Sequence, residues 1–247
     1  KNKLLIGSGA KEEARRLKYG VNYWHSFKME LGTDKGCAYP KSELSENSKS
    51  HHIIENPKDV TTLFFKYIKH LIDGYLKKNN LPSKLKYSVT IPASFEANQR
   101  LDLMQCLENA NIGVEDSCLI DEPNAAFLSY FMNDNVNKYF KMSKDFWPNI
   151  LVFDFGAGTC DISILQIGET HKGLNVKNIS VSQYTEIGGN NIDHYIANEF
   201  LLNQMLEQSD KKRKDFRIKE ITEDILPHLI AFAEKLKIKA SEAVSNY

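Results

Sequence analysis

"ILVFDFGAGTCDISIL", residues 150–165, decides how this chain is read. Two apolar runs flank Gly156-Ala157-Gly158-Thr159, with Asp154 near the end of the first run and Asp161 inside the second. That pattern predicts two strands joined by a tight turn. Glycines at 156 and 158 leave backbone N–H groups uncovered, and several such donors can converge on one phosphate. Thr159 adds a hydroxyl donor. Asp154 would repel a phosphate unless a divalent cation lay between them, and magnesium favours carboxylate, water and phosphate oxygens. Asp161 is then expected to hold a water of the metal shell. An ordinary Asp/Gly hairpin explains the same turn without a ligand. The two carboxylates weigh against it, because a buried unpaired carboxylate costs roughly several kcal/mol.

Composition narrows the classes. The 247 residues carry 32 Lys plus Arg and 32 Asp plus Glu, a formal charge of zero. Without a basic excess, neither nucleic acid nor an anionic membrane is expected as the main partner. The basic run "KKRKDFRIKE" (211–220) reads as a solvated face. No apolar stretch is long enough to span a bilayer and no signal-peptide pattern opens the chain. The four cysteines (Cys37, Cys106, Cys118, Cys160) are widely spaced with no CxxC. A reduced, cytoplasmic compartment is therefore expected, and a zinc site is not. The chain opens on Lys1 and stops inside a helical pattern, so we read it as a piece of a longer protein.

Along the chain, residues 3–32 read as a short strand, a helix and a loop, and 32–57 as a surface loop or hairpin. "DVTTLFFKYIKHLIDGYLKKN" (59–79) places Val60, Leu63, Phe64, Tyr67, Ile68 and Leu71 at helical spacing. "KYSVTIP" (86–92) alternates like a strand and stops at Pro92; an amphipathic helix follows over 98–112. "SCLIDEP" (117–123) predicts a short strand, with a helix directly after it. Beyond a polar and aromatic segment, 133–147, we place a lobe boundary, giving lobes 1–149 and 150–247. The second holds three strands and two helices. Alternating strands and helices favour an α/β class.

The stretch first quoted resembles the second phosphate loop of the seventy-kilodalton heat-shock (Hsp70, DnaK-type) chaperones, in the actin-like ATPase superfamily. Four further stretches resemble that family in the same order: "IGSGAKEEA" with "SFKMELG" (26–32), "VTIPASFEANQR" (89–100), "LIDEPNAAFLSYF" (119–131) and "EIGGNNIDHYIANEF" (186–200). The resemblance covers nearly the whole chain. It implies a two-lobed, ribonuclease-H-like fold, here incomplete at both ends. It also implies ATP or ADP with magnesium as ligands, and hydrolysis that gates peptide binding in an intact chaperone. Protein folding and stress response follow from it, as do a J-domain co-chaperone, a nucleotide-exchange factor and unfolded peptide clients as partners.

By the same resemblance Lys28 orients the attacking water, and Glu122 links the metal's waters to it. Asp154, Asp161 and Glu122 form the metal's surroundings, the last through water, with Thr159 beside the reacting phosphate. Gly156, Ala157, Gly158, Gly188 and Gly189 approach the nucleotide with their backbone. Glu234, Lys237 and Ser241, whose spacing of three and then four puts them on one helical face, reach ribose and adenine. Pro92 and Arg100 couple nucleotide state to a partner domain. Two positions depart from the family: Ala157 stands where a glycine is usual, and Ile238 where an arginine usually stacks on adenine. Ala157 is strained only if its φ is positive. Other superfamily members, a sugar or acetate kinase or a filament protein, remain alternatives, as does a sensor that binds nucleotide without hydrolysis. Lys28 and the 89–100 stretch favour the chaperone.

The family site opposes two phosphate loops, and only the second is present in these residues. Expressed alone, residues 1–247 should release phosphate from Mg-ATP at roughly one hundredth of the full-length rate or less. The check is phosphate release after folding is confirmed by circular dichroism. Turnover equal to that of the full-length protein would sink the two-loop argument.

Overall fold

The computed structural model describes residues 4–32, 39–47, 50–115, 118–132, 146–171, 173–183, 185 and 187–245. Cys37 and most of the segment expected to precede the lobe boundary (133–145) lie outside them. The described residues form a mixed helix–strand structure with three small sheets, which divides into two compact units. The first holds the described residues up to Asp154 and Asp161–Thr185. The second holds Phe155–Cys160 and the described residues beyond Thr185.

The first unit begins with helix α1 (Ser8–Glu13), not preceded by a strand among the described residues. A 3-10 turn, Phe27–Glu30, follows. Strands β1 (Ser42–Asn47) and β2 (Ser50–Ile54) make an antiparallel hairpin, resolving the loop-or-hairpin expectation. Helix α2 (Pro57–Lys78) starts on a reciprocal cap. The Asn56 side chain accepts from the Asp59 N–H at 3.1 Å, and the Asp59 carboxylate accepts from the N–H of Asn56 at 3.2 Å. Pro57 suits the first turn, where its missing N–H leaves no bond unmade.

Strand β3 (Val89–Ile91) pairs in parallel with β4 (Leu119–Asp121), and α3 (Ala97–Asn109) makes the crossover. A parallel pair needs such a crossover, and the apolar stripe of α3 supplies its packing. Leu103 and Leu107 of α3 meet Ile91 and Leu31 in one core cluster. Helix α4 (Glu122–Phe131) leaves β4 without a loop, with Pro123 in its first turn. Strands β5 (Asn149–Phe155), β6 (Cys160–Thr170) and β7 (Gly173–Val181) form a three-stranded sheet in sequence order. The Gly156–Thr159 connection is too short for a crossover, so β5 and β6 run antiparallel.

Period-two alternation decides which face of that sheet is covered. Ile150 and Val152 of β5, with Leu165 and Ile167 of β6, pack against Phe127 of α4. Asp154 and Asp161 fall on this same face. On the other face Leu151 and Phe153 are 65% and 60% exposed. Most of the β5–β7 sheet therefore groups with the first unit. The packing of Phe127 on Leu165 and Ile167 is the physical reason.

In the second unit, helix α5 (Gly189–Tyr195) runs through a π-helical stretch, Ile196–Leu201, into α6 (Leu202–Gln208). A second π-helical stretch, Glu220–Ile225, leads into α7 (Leu226–Ser245) immediately before Pro227. Proline removes one helical donor, and the wider π turn accommodates that loss. Leu202, Leu206 and Ile221 form this unit's core.

Gly32 tests how tightly the 3-10 turn is docked. Its φ is +74°, and a Cβ there would lie 2.5 Å from Gln99 Cγ and 2.6 Å from the Gln99 backbone nitrogen. Gly32→Ala should lower stability by about 2–5 kcal/mol, combining left-handed strain with overpacking. Gly113→Ala, where an added Cβ meets nothing within 4 Å, should be nearly neutral. Denaturant unfolding of the two variants checks the difference.

Candidate functional site

Lys28 lies in a turn held from three sides. Phe27 meets the Phe64 ring of α2 at 5.9 Å between centroids, Leu31 is 1% exposed in the core, and the Gly32 N–H donates to Asp102 Oδ2 of α3 at 3.0 Å. Glu30 accepts from the Tyr39 hydroxyl at 2.5 Å and also from Tyr19. Burial, and then the bond to Glu30, pushes the Tyr39 hydroxyl well above its ordinary range, so it stays a donor. With its neighbours fixed, Lys28 projects its ammonium to Glu122 Oε1 at 2.8 Å, across 94 residues of sequence. The same ammonium lies 5.7 Å from the Phe95 ring centroid. Glu122 is the first residue of α4, where the helix dipole favours a carboxylate.

The segment from Pro92 to Arg100 is closed on itself. The Phe95 N–H donates to Pro92 O at 3.1 Å. Arg100 donates through Nε to Phe95 O at 3.0 Å and through Nη2 to Asp121 Oδ1, also at 3.0 Å. Ser94 donates its hydroxyl to Asp161 Oδ1, and Asp161 is 1% exposed. Asp154 is half-buried and makes no ion pair among the described residues.

Asp154, Asp161 and Glu122 are expected around one hydrated ion, with Asp161 and Glu122 acting through its waters and not as direct ligands. Among the described residues no group of three or more His, Cys, Asp or Glu side chains is placed to hold a metal. Asp161 is engaged by Ser94, and Glu122 by Lys28. Magnesium commonly keeps several waters and takes one or two carboxylates plus phosphate oxygens. Of the three carboxylates, Asp154 alone fits that mode, since no side chain among the described residues engages it.

In the second unit the turn and the start of α5 are built onto each other. Gly156 donates its N–H to Thr159 O at 2.9 Å, closing the turn. Gly189 and Asn190 then donate to the carbonyls of Gly156 and Ala157 at 3.0 and 2.8 Å. A Cβ on Gly188 would lie 2.6 Å from Ala157 O and 2.8 Å from Gly156 O, so only glycine allows this approach. The turn's carbonyls are thus consumed by the helix start. Among the described residues, the N–H groups of Ala157, Gly158 and Thr159 have no protein acceptor. None of Gly156, Ala157 and Gly158 has a positive φ. The strain foreseen for Ala157 does not arise, and the glycines serve by lacking side chains.

An open pocket of ≈520 Å³ is lined by Phe155, Gly189, Ile192, Lys237, Ile238 and Ser241, with Glu242 and Ser245 further along α7. Lys237 and Ser241 are among its lining residues, and Glu234 is not. Lys237 is already engaged: its ammonium donates to Gly189 O at 2.8 Å and to Asp193 Oδ2 at 2.7 Å. Asp193, 4% exposed, was missed as a functional residue although it is the aspartate of the Gly-Gly-x-x-x-Asp segment. Ser94 carried no sequence signal of its bond to Asp161. Cys106 and Cys160 are free thiols, and burial raises the Cys106 thiol above its ordinary range. No described helix is long and apolar enough to cross a membrane.

Comparison with known proteins gives the family. The family profile described as "Hsp70 protein" matches residues 39–246. A "Chaperone protein DnaK" from Thermus thermophilus is 32% identical over 193 residues, covering 77% of this chain and 26% of that relative. A second DnaK, from Thermoplasma volcanium, is 27% identical over 98% of this chain and 33% of its own length. The "Heat shock protein 70 homolog" of Acanthamoeba polyphaga mimivirus is 29% identical over 82% of this chain and 20% of its own length. The chain thus spans about a fifth to a third of the curated relatives it matches. With the profile matching most of its length, the chain belongs to the Hsp70 protein family.

Proposed function

We propose that this chain is the nucleotide-binding region of an Hsp70-type chaperone, with the two-lobed actin-like fold, and that it binds ATP or ADP with magnesium. The observation that carries the reading is the joint between the turn and α5. Three consecutive N–H groups, at Ala157, Gly158 and Thr159, are left without protein acceptors among the described residues while the neighbouring carbonyls are consumed. Such a row of donors suits phosphate oxygens. Gly188 and Gly189 admit the nucleotide beside them, and the pocket flanked by Lys237 and Ser241 takes the nucleoside. The Ile192 and Ile238 side chains offer the base an apolar wall. Magnesium, when bound, neutralises phosphate charge. Asp154 is its carboxylate, and Asp161 and Glu122 act on its waters.

The proposed reaction is hydrolysis. A water oxygen bonds to the γ-phosphorus, the bond to the β–γ bridging oxygen breaks, and ADP and inorganic phosphate leave. Lys28 stabilises charge on the transferred group, and its ion pair with Glu122 holds it in one orientation. Thr159 donates to the same phosphate. The two lobes are assigned to 1–149 and 150–247. Pro92 and Arg100 carry nucleotide state outward, to a peptide-binding part of the full-length protein. A J-domain protein and an exchange factor are its partners and unfolded peptides its clients, in the cytoplasm. The names of the relatives, "Chaperone protein DnaK", support the chaperone part of this assignment.

Two variants test it in the full-length protein. Gly188→Ala should abolish binding of ADP and ATP measured calorimetrically, because the added methyl group cannot sit against the carbonyls of the turn. Retained affinity would remove the turn from the site. Lys28→Ala should lower kcat by about 100-fold or more while ATP affinity changes little, since a contact that matters most in the transition state is lost. Equal losses in both quantities would make Lys28 a binding residue instead.

A further inference from the structure

Asp121 sits at the cap position before α4, where an aspartate ordinarily accepts from the helix's first N–H groups. It makes no such cap bond. Its carboxylate is shared instead: Oδ1 takes Arg100 Nη2 at 3.0 Å, and Oδ2 takes Asn178 Nδ2 at 2.7 Å. Asn178 comes from β7, 57 residues away, and stands opposite Leu165 in the sheet register. A carboxylate accepts and does not donate, so chemistry fixes the Asn178 amide with its NH2 toward Asp121. The other end of that amide, Oδ1, is buried without a partner among the described residues. The amide is held through this single bond.

We infer that Asn178 is a positioning residue for the reaction proposed above, acting through Asp121 on the direction of Glu122. Asp121 and Glu122 are consecutive, the last residue of β4 and the first of α4. Whatever fixes the Asp121 carboxylate fixes the backbone from which the Glu122 side chain reaches Lys28. Arg100 fixes it from the α3 side, where it also holds the carbonyls of Ala93 and Phe95. Arg100 leaves Oδ2 free to turn about the Arg100 bond. Asn178 removes that freedom from the sheet side. A stabilising helix cap is given up here for a tie between two sheets. The side chain engages Asp121, so its effect runs through Glu122 and Lys28.

The inference rests on the hydrolytic reading, and the experiment separates the two. In the full-length protein, with folding confirmed by circular dichroism and melting, Asn178→Ala should lower kcat about tenfold and leave the KM for ATP unchanged. Small misplacements of catalytic groups cost factors of that order or more. Asn178→Ser, which can keep a donor, should recover part of the rate, and it supplies the reading if the alanine variant does not fold. In a Lys28→Ala background, Asn178→Ala should have no further effect, because both changes remove one function. An unchanged kcat, a rise in KM equal to the fall in kcat, or a full tenfold loss on top of Lys28→Ala overturns the positioning role. If Lys28→Ala alone leaves kcat unchanged, the hydrolytic reading falls, and this inference with it.

Discussion

The carboxylate of Asp121 is the constraint on which the first unit's polar network depends. It receives a guanidinium from α3 on one oxygen and an amide from β7 on the other. Charge-assisted bonds of this kind are stronger than neutral ones and are directional. They join the parallel β3–β4 pair to the three-stranded sheet at the point where α4 begins. Helix α4 then does two things at once. Its first residue meets Lys28, and five residues later Phe127 packs on Leu165 and Ile167. The ion pair and the apolar packing thus share one rigid element.

Around that point the polar groups are matched in pairs, and the matching assigns their work. Ser94 engages Asp161, Lys28 engages Glu122, and Arg100 closes the turn that contains Ser94. A buried carboxylate without a donor would be costly, and each of these has one. Asp154, on the covered face beside Val152, is the exception among the described residues. In the proposed function, that lack of a protein partner is what suits it to a hydrated cation.

The second unit works by subtraction. Gly188 lacks a side chain so that α5 can begin against the turn's carbonyls, and that contact consumes the turn's acceptors while sparing its donors. Lys237 fastens α7 to the same helix start through Gly189 and Asp193. A lysine bound in this way is a brace before it is a ligand group. Helical spacing puts Glu234, Lys237 and Ser241 on one face, but this engagement gives Lys237 a role the other two do not share.

Much of this protein is legible in its sequence. The alternation around Gly156–Thr159 predicts β5 and β6, and helical spacing predicts α2 and α3, because local burial patterns follow the geometry of each element. Family resemblance in five ordered stretches marks Lys28 and Glu122. Three things are not legible. That most of the β5–β7 sheet groups with the preceding residues is the first, since Phe127 finds its partners across the sheet and not along the chain. That Ser94 engages Asp161 and Lys28 engages Glu122 is the second, since neither pairing has a pattern along the chain. Asn178 reads as an ordinary strand residue, because a single amide has no periodicity and its meaning lies wholly in a carboxylate 57 residues away. Sequence by itself determined most of the helices and strands, for these follow from local sterics and side-chain spacing. The tertiary structure decided which charges are spoken for, because ion pairs and hydrogen bonds form between residues that only folding brings within 3 Å.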